Sequence, residues 1–289
     1  MHPNELLETA LAAARDAVAV HRRYAGTVRV EDWSEKGVAD FVTHVDREAE
    51  SRIVARITAD FPDHAILAEE AAGDAAAAGN PALALRDSEW LWIVDPLDGT
   101  TNFLHGFPVY SASVGVAHRG ELVAGAVVHG ATGEAWTATR GGGAFRDDQP
   151  IHVSTISALR LALVGTGFPY RYVESIPSYL RQFDAVLRRV AAVRRPGSAA
   201  LDLCHVASGH FDAFWEQRLA PWDVAAGTLI IREAGGVVTD LSGDEAVLGR
   251  ESIVAGNPRL HEELLALLRA AETPAAPGGY AGQSLQEQE

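Results

Sequence analysis

The chain has 289 residues, 47% of them hydrophobic, with 24 lysines and arginines against 39 aspartates and glutamates for a formal net charge of −15. That content can fill the core of two intimately packed halves, and the acidity argues against nucleic acid as a direct ligand, since gripping a polyanion takes a basic stripe. A lone cysteine, Cys204, excludes an intrachain disulfide; no apolar run approaches the roughly 18 residues of a membrane span, and no basic-then-apolar leader follows Met1-His2-Pro3, so a cytoplasmic protein without membrane contact is expected.

In chain order, Leu7, Leu11, Ala14, Val18 and His21 recur at helical spacing and predict a first helix over residues 6–24. Thr43 is a candidate N-cap, with Asp46 three positions on, for a second helix over 46–59. Ile66-Leu67-Ala68 ends an apolar strand before Glu69 and Glu70, and the alanine-rich segment 71–81 reads as a surface loop or short helix. Leu91 to Val94 is a buried-strand run, and Pro96, which cannot donate to a ladder, should stop it. Strand patterns over 109–117, 122–129 and 134–139, separated by glycine-bearing turns, predict an antiparallel meander. Beyond Pro150 strands and helices alternate: strand 161–165, helices 178–190 and 199–207, strand 213–216, helix 224–234, strands 237–240 and 253–256, and a last helix over 258–271. The expected organisation is an α+β half over 1–150 with the antiparallel sheet, an α/β half over 151–272, and a disordered Pro/Gly/Gln/Glu-rich tail over 273–289.

Chemistry concentrates in Trp92-Ile-Val-Asp95-Pro-Leu-Asp98-Gly99-Thr100-Thr101-Asn-Phe103. Two carboxylates at a strand's mouth are hard oxygen ligands for Mg²⁺, and a turn at Gly99 leaves the amides of Gly99, Thr100 and Thr101 to face an anion. Taken alone, the segment reads first as an Asx turn and helix cap. Trp222-Asp223-Val-Ala-Ala-Gly227, running to Glu233-Ala-Gly-Gly-Val237, sets another carboxylate at a helix start, where capping is the competing role. Glu69-Glu70 reads either as solvated surface or as part of a cation site. Arg194-Arg-Pro-Gly197-Ser198-Ala199-Ala-Leu-Asp-Leu203 offers loop amides and a hydroxyl before a helix, and Glu216 closes the strand of Phe211-Asp-Ala-Phe-Trp-Glu216. Cys204 lies in a packed helical run and reads as an inert thiol, and the histidines show no metal-ligand spacing, with His105 at most shaping the edge of the site.

The first two motifs, with Glu69-Glu70 and the Lys36…Asp40-Phe-Val-Thr43…Asp46 string, resemble the inositol monophosphatase family of Mg²⁺-dependent, Li⁺-sensitive phosphatases. The chain departs from the family's Gly-Glu-Glu at Ala68. The resemblance implies a layered α/β/α/β/α sandwich. It further implies a metal set of Glu69, Asp95, Asp98, Asp223 and the Leu97 carbonyl for two or three Mg²⁺ ions. Catalytic roles fall to Asp46, Glu69 and Thr100, with Asp46 and Thr100 orienting the attacking water. Substrate contacts fall to Asp98, Gly99, Thr100, Gly197, Ser198, Ala199, Glu216 and Asp223. Hydrolysis of inositol 1-phosphate by a homodimer is the implied activity. Histidinol phosphate, fructose 1,6-bisphosphate and 3′-phosphoadenosine nucleotides remain rival substrates. Arg194 and Arg195 are candidates for a second phosphate, no adenine pocket is located, and a transcription-associated partner role is the rival from another class.

Overall fold

The computed structural model describes residues 3–37, 40–74, 85, 87–250 and 252–272. Val38 and Ala39, most of the alanine-rich segment after Asp74, and the tail from 273 lie outside the described residues.

Helix α1 (Pro3–Tyr24) buries an alanine-rich stripe through Leu6, Ala10, Ala14, Ala17 and His21. A hairpin of β1 (Ser34–Gly37) and β2 (Asp40–Val42) leads into α2 (His44–Asp60), which buries Val45, Ala49, Ile53 and Ile57 along one face. Thr43 is the N-cap of α2, accepting from the Val45 amide. The next strand, β3 (Ala65–Ala68), runs directly into the short helix α3 (Glu69–Asp74). Then come β4 (Trp90–Asp98), α4 (Thr100–Leu104), β5 (Ser111–His118), β6 (Glu121–His129), β7 (Ala135–Thr139), β8 (Gly143–Arg146) and β9 (Gln149–Pro150). These strands form a sheet in sequential order from β3 to β9, antiparallel throughout except that β3 runs parallel to β4. The predicted antiparallel meander is present, and the sheet is mixed only where β3 joins its edge.

A second, five-stranded sheet is ordered β11-β10-β12-β14-β13. Its strands are β10 (Leu163–Thr166), β11 (Ala192–Arg194), β12 (Ala213–Gln217), β13 (Val237–Thr239) and β14 (Ser252–Gly256). The intervening helices are α5 (Ile176–Leu187), α6 (Ala199–Ala207) and α7 (Pro221–Glu233), with α8 (Pro258–Glu272) last. Residues 159–161 form a 3₁₀ turn, so β10 starts two residues later than the apolar pattern suggests, and α5 begins at Ile176, with Pro177 in its first turn, rather than at 178.

The layers follow from alternation along β4. Leu91 and Ile93 join a core shared with α6, α7 and the second sheet, while Trp92 and Val94 face α1 and α2. A third core joins α5 and α8 to the outer face of the second sheet through Tyr179, Trp215, Leu260 and Leu264. The result is an α/β/α/β/α sandwich. Helix α7 lies directly on the first sheet: a Cβ on Gly115 would stand 2.8 Å from the Ala225 Cβ, and one on Gly125 would stand 3.1 Å from the Ala226 Cα. Small residues on both partners bring Asp223, in the first turn of α7, up to the end of β4.

Pro96 does not end β4. The ladder with β5 pairs Asp95 with Ser113 and Asp98 with Ser111, so β4 carries one extra residue and bulges at the proline. A bulge needs no ladder donor there, and the free Pro96 carbonyl accepts from Nε2 of the buried His21 at 2.8 Å. Burial drives the His21 pKa down to about 4 against the opposing pull of that bond, so the ring is neutral and its Nε2–H holds the bulge.

Candidate active site

The bulge, the α4 turn and the start of α7 converge on one end of a cleft of about 420 Å³. Asp95, Asp98 and Asp223 each offer a carboxylate oxygen there, and these atoms lie within 4.8 Å of one another. Each carboxylate is held from behind by donors of its own neighbourhood. Asp95 Oδ1 accepts the Leu97 amide at 3.0 Å, and Asp223 Oδ2 accepts the Ala220 amide at 2.6 Å. Asp223 thus sits at the third position of α7 and reaches back, and Ala220 occupies the N-cap. Asp98 Oδ2 accepts the Ser198 hydroxyl and the Ala200 amide, which ties the end of β4 to the start of α6. Glu69 lines the same end, at the first turn of α3; Glu50 of α2 fixes that turn by accepting the amides of Glu70 and Ala71 at 2.7 and 3.0 Å. Ala68 is extended in β3, a conformation any residue adopts, so the departure from glycine carries no strain.

The cluster is electrostatically costly without a cation. Burial, then the charges of Glu69, Asp98 and Asp223, lift Asp95 well above the usual carboxylate range. Burial and Asp98 push Asp223 up to about 7, while the bonds from Ser198 and Ala200 offset part of the burial that raises Asp98. Crowded, desolvated carboxylates with convergent oxygens are the donor set a hard divalent ion requires, and the residues present fit Mg²⁺.

Gly99 stands at φ +87° before α4, where a Cβ would come within 2.9 Å of the Val109 carbonyl oxygen. Only glycine fits this turn. Just beyond it, the Thr100 hydroxyl lies 2.9 Å from the Leu97 carbonyl and 3.1 Å from Asp46 Oδ1. Asp46 does not line the cleft; it is 2% exposed, behind Thr100, with Oδ2 saturated by the Thr43 amide and hydroxyl at 2.9 and 2.8 Å. Burial raises its pKa and those bonds counter the rise. The same carboxylate therefore caps α2 with one oxygen and faces Thr100 with the other. Asn102 fastens this turn to the far half of the chain, donating to the carbonyls of Val109 and Pro196 at 2.7 and 2.9 Å.

The rest of the cleft wall includes Gly197, Ser198, Ala199, Asp202 and Glu216. The Ser198 hydroxyl is spent on Asp98 and caps α6, so it belongs to the support of the acidic cluster. The Glu216 carboxyl packs on the backbone of Gly167, where a Cβ would stand 1.9 Å from its Oε1. Burial first, then Asp223, raises the Glu216 pKa to about 8, with Arg195 opposing.

Of the rim, sequence reasoning singled out only Arg195. Phe168, Tyr170, Arg171, Tyr172, Arg195 and Arg218 line the cleft, with the Arg195 guanidinium 5.4 Å from the Phe168 ring centroid and 5.0 Å from that of Tyr170. Arg218, left-handed at φ +64°, stacks over Tyr172 at 5.1 Å. The available signal was Gly167-Phe-Pro-Tyr-Arg-Tyr172 itself, a Gly/Pro-punctuated loop of aromatic and basic residues, which was not weighed when no aromatic or basic adenine pocket was located. Arg194 instead points its guanidinium at the Val193 carbonyl and does not line the cleft, and His105 is exposed on the Thr101 carbonyl.

The family model described as the inositol monophosphatase family matches residues 2–273. Among similar proteins, the Nus factor SuhB of Pseudomonas aeruginosa is 41% identical over 91% of this chain and 96% of its own. The inositol-1-monophosphatase of Mesorhizobium japonicum is 40% identical over 95% and 98%. Among solved structures, the extragenic suppressor protein suhB of Bartonella henselae aligns with a TM-score of 0.81 at 37% identity, covering 91% of this chain and 97% of that one. An IMPase of Thermotoga maritima aligns with a TM-score of 0.80 at 34% identity over 92% and 97%. With the acidic cluster at the junction of β4, α4 and α7 in the same chain, these matches make it a member of the inositol monophosphatase family.

Proposed function

We propose that the protein is a Mg²⁺-dependent phosphomonoesterase that hydrolyses inositol 1-phosphate to inositol and phosphate, working as a cytoplasmic homodimer. The observation that carries this reading is one cleft with two unlike ends: converging carboxylates of Asp95, Asp98 and Asp223 at one, and the hydrogen-bond acceptor Glu216 at the other. The relatives named inositol-1-monophosphatase support the substrate.

Glu69, Asp95, Asp98, Asp223 and the Leu97 carbonyl would hold two or three Mg²⁺ ions. When bound, Mg²⁺ supplies Lewis acidity, lowering the pKa of a water and neutralising charge on the phosphoryl group. The chain supplies aim. The Thr100 hydroxyl donates to Asp46 Oδ1, which leaves a Thr100 lone pair to accept a hydrogen bond from the attacking water and orient it, with Glu69 lining the same space. The amides of Gly99 and Thr100 at the start of α4 face the phosphoryl oxygens, and Gly197, Ser198 and Ala199 wall the polyol. At the far end Glu216 accepts from ring hydroxyls, and in-line attack releases the alcohol without a covalent enzyme intermediate.

The arginine and aromatic rim favours one rival, a substrate bearing a second phosphate or a base beyond the polyol position. The Nus factor names of several relatives favour another, a transcription-associated role alongside catalysis. Phosphate release from inositol 1-phosphate, histidinol phosphate, fructose 1,6-bisphosphate and 3′-phosphoadenosine 5′-phosphate, with and without Mg²⁺ and Li⁺, separates them. Mg²⁺-dependent, Li⁺-inhibited preference for inositol 1-phosphate is expected; release from none of the four would remove the phosphatase reading for these substrates.

A further inference from the structure

Asp202 lies one turn into α6, 1% exposed, and lines the cleft between Ser198 and Glu216. Its Oδ1 is buried and has no hydrogen-bonding partner among the described residues, whereas other polar groups of the cleft wall are satisfied: Ser198 donates to Asp98, Thr166 bonds Tyr179, and Gln217 donates to Gln182. Leaving a buried carboxyl oxygen without a partner is costly, so a group kept there at the wall of a binding cleft is positioned for a ligand atom. Burial, then the charges of Glu216 and Asp98, holds Asp202 well above the usual carboxylate range, against the pull of Arg195. A carboxyl group offers a hydroxyl its acceptor oxygens and, when protonated, an O–H donor as well. Glu216, facing the same space, offers acceptors. A single alcohol hydroxyl complements either, and two neighbouring hydroxyls on one substrate complement both.

We propose that Asp202 is a specificity-determining residue that binds a hydroxyl of the alcohol part of the substrate, so that the cleft reads a vicinal diol through Asp202 and Glu216 together. This rests on the polyol-phosphatase reading above. A monohydric or aryl phosphate leaves the Asp202 oxygen unfilled, and the pair should discriminate against it.

The test is the ratio of kcat/KM on inositol 1-phosphate to kcat/KM on p-nitrophenyl phosphate, measured on the Mg²⁺-loaded enzyme. Asp202→Leu should lower that ratio about tenfold, the loss falling mainly in KM for inositol 1-phosphate. Asp202→Asn, which keeps a donor and an acceptor of the same shape, should hold the ratio within about twofold of wild type. If the leucine variant does not fold, as read by its melting temperature, Asp202→Ala reads the same ratio without the added bulk. An unaltered ratio in the leucine or alanine variant, or equal losses on both substrates, overturns the proposal while the polyol reading stands. A wild-type enzyme with no preference for inositol 1-phosphate over the aryl ester overturns both.

Discussion

The two ends of the cleft are built on opposite principles. The acidic end is made of short, contiguous motifs on regular elements, and each carboxylate is locked by donors from behind: Leu97 on Asp95, Ser198 and Ala200 on Asp98, Ala220 on Asp223. The far end is assembled from β10, the loop after it, β11, α6 and β12, with Tyr170 and Tyr172 exposed and arginines resting on aromatic faces. Chemistry common to many phosphate esters needs a fixed constellation, whereas choice among alcohols needs a wall that can vary without disturbing it. Substitutions at the first end should therefore cost turnover on every substrate, and those at the second should change preference.

The largest effect is expected at the centre of the acidic end. Asp95→Asn should lower kcat/KM on the order of 10³-fold for inositol 1-phosphate and p-nitrophenyl phosphate alike. Its metal-free melting temperature should hold or rise, because one of the mutually repelling carboxylates is gone. Retained turnover would take Asp95 out of the mechanism, and a collapse in stability would show that it is structural. Next in size, Glu216→Gln should lower turnover of inositol 1-phosphate about tenfold more than that of the aryl ester. Equal losses would erase the distinction between the two ends.

A smaller effect comes from protons. Asp223 and Glu216 have folded pKa values of about 7 and about 8, above their ordinary 3.8 and 4.5, so the folded metal-free protein holds these protons more tightly than the unfolded chain. The stability this contributes is fully present below the ordinary carboxylate range and is lost as pH rises through about 7 to 8. The metal-free melting temperature should therefore fall by roughly 5 °C between mildly acidic and mildly alkaline pH, and Mg²⁺ should reverse the slope at its alkaline end. A flat metal-free profile would mean that the carboxylates ionise without penalty and that no cation is needed to hold them.

The same contrast explains what could be read in advance. Trp92 to Phe103 was legible because strand, turn and helix start are contiguous, so residue type and spacing already carry the chemistry. The span of α6 was legible from Ser198 and the apolar run behind it. The continuation of β4 through Pro96 was not, because the bulge depends on the β5 register and on His21, 75 positions upstream. Nor was the task of Ser198, whose partner Asp98 lies 100 positions away, or that of Glu50, whose acceptors fix the turn carrying Glu69. The aromatic part of the rim was missed for the same reason: Arg195 could be named as a candidate for a second phosphate, but its ring partners emerge only when β10 and β11 pair side by side and bring Phe168 and Tyr170 against it.

That pairing gives the finest test of the comparison. Arg195→Lys keeps the charge but loses the planar guanidinium that rests against both rings, a contact worth about 0.5–1 kcal/mol at an exposed site, so the expected loss on inositol 1-phosphate is about threefold. If the rim also serves a second phosphate, the loss on fructose 1,6-bisphosphate should exceed that on inositol 1-phosphate and shrink as salt is added, since an exposed charge is screened within about 10 Å. A uniform loss on both substrates, insensitive to salt, would mean that Arg195 only braces the loop. The exposed end would then owe its selectivity to the carboxyls at its floor, and the aromatic and arginine layer would be a support for them.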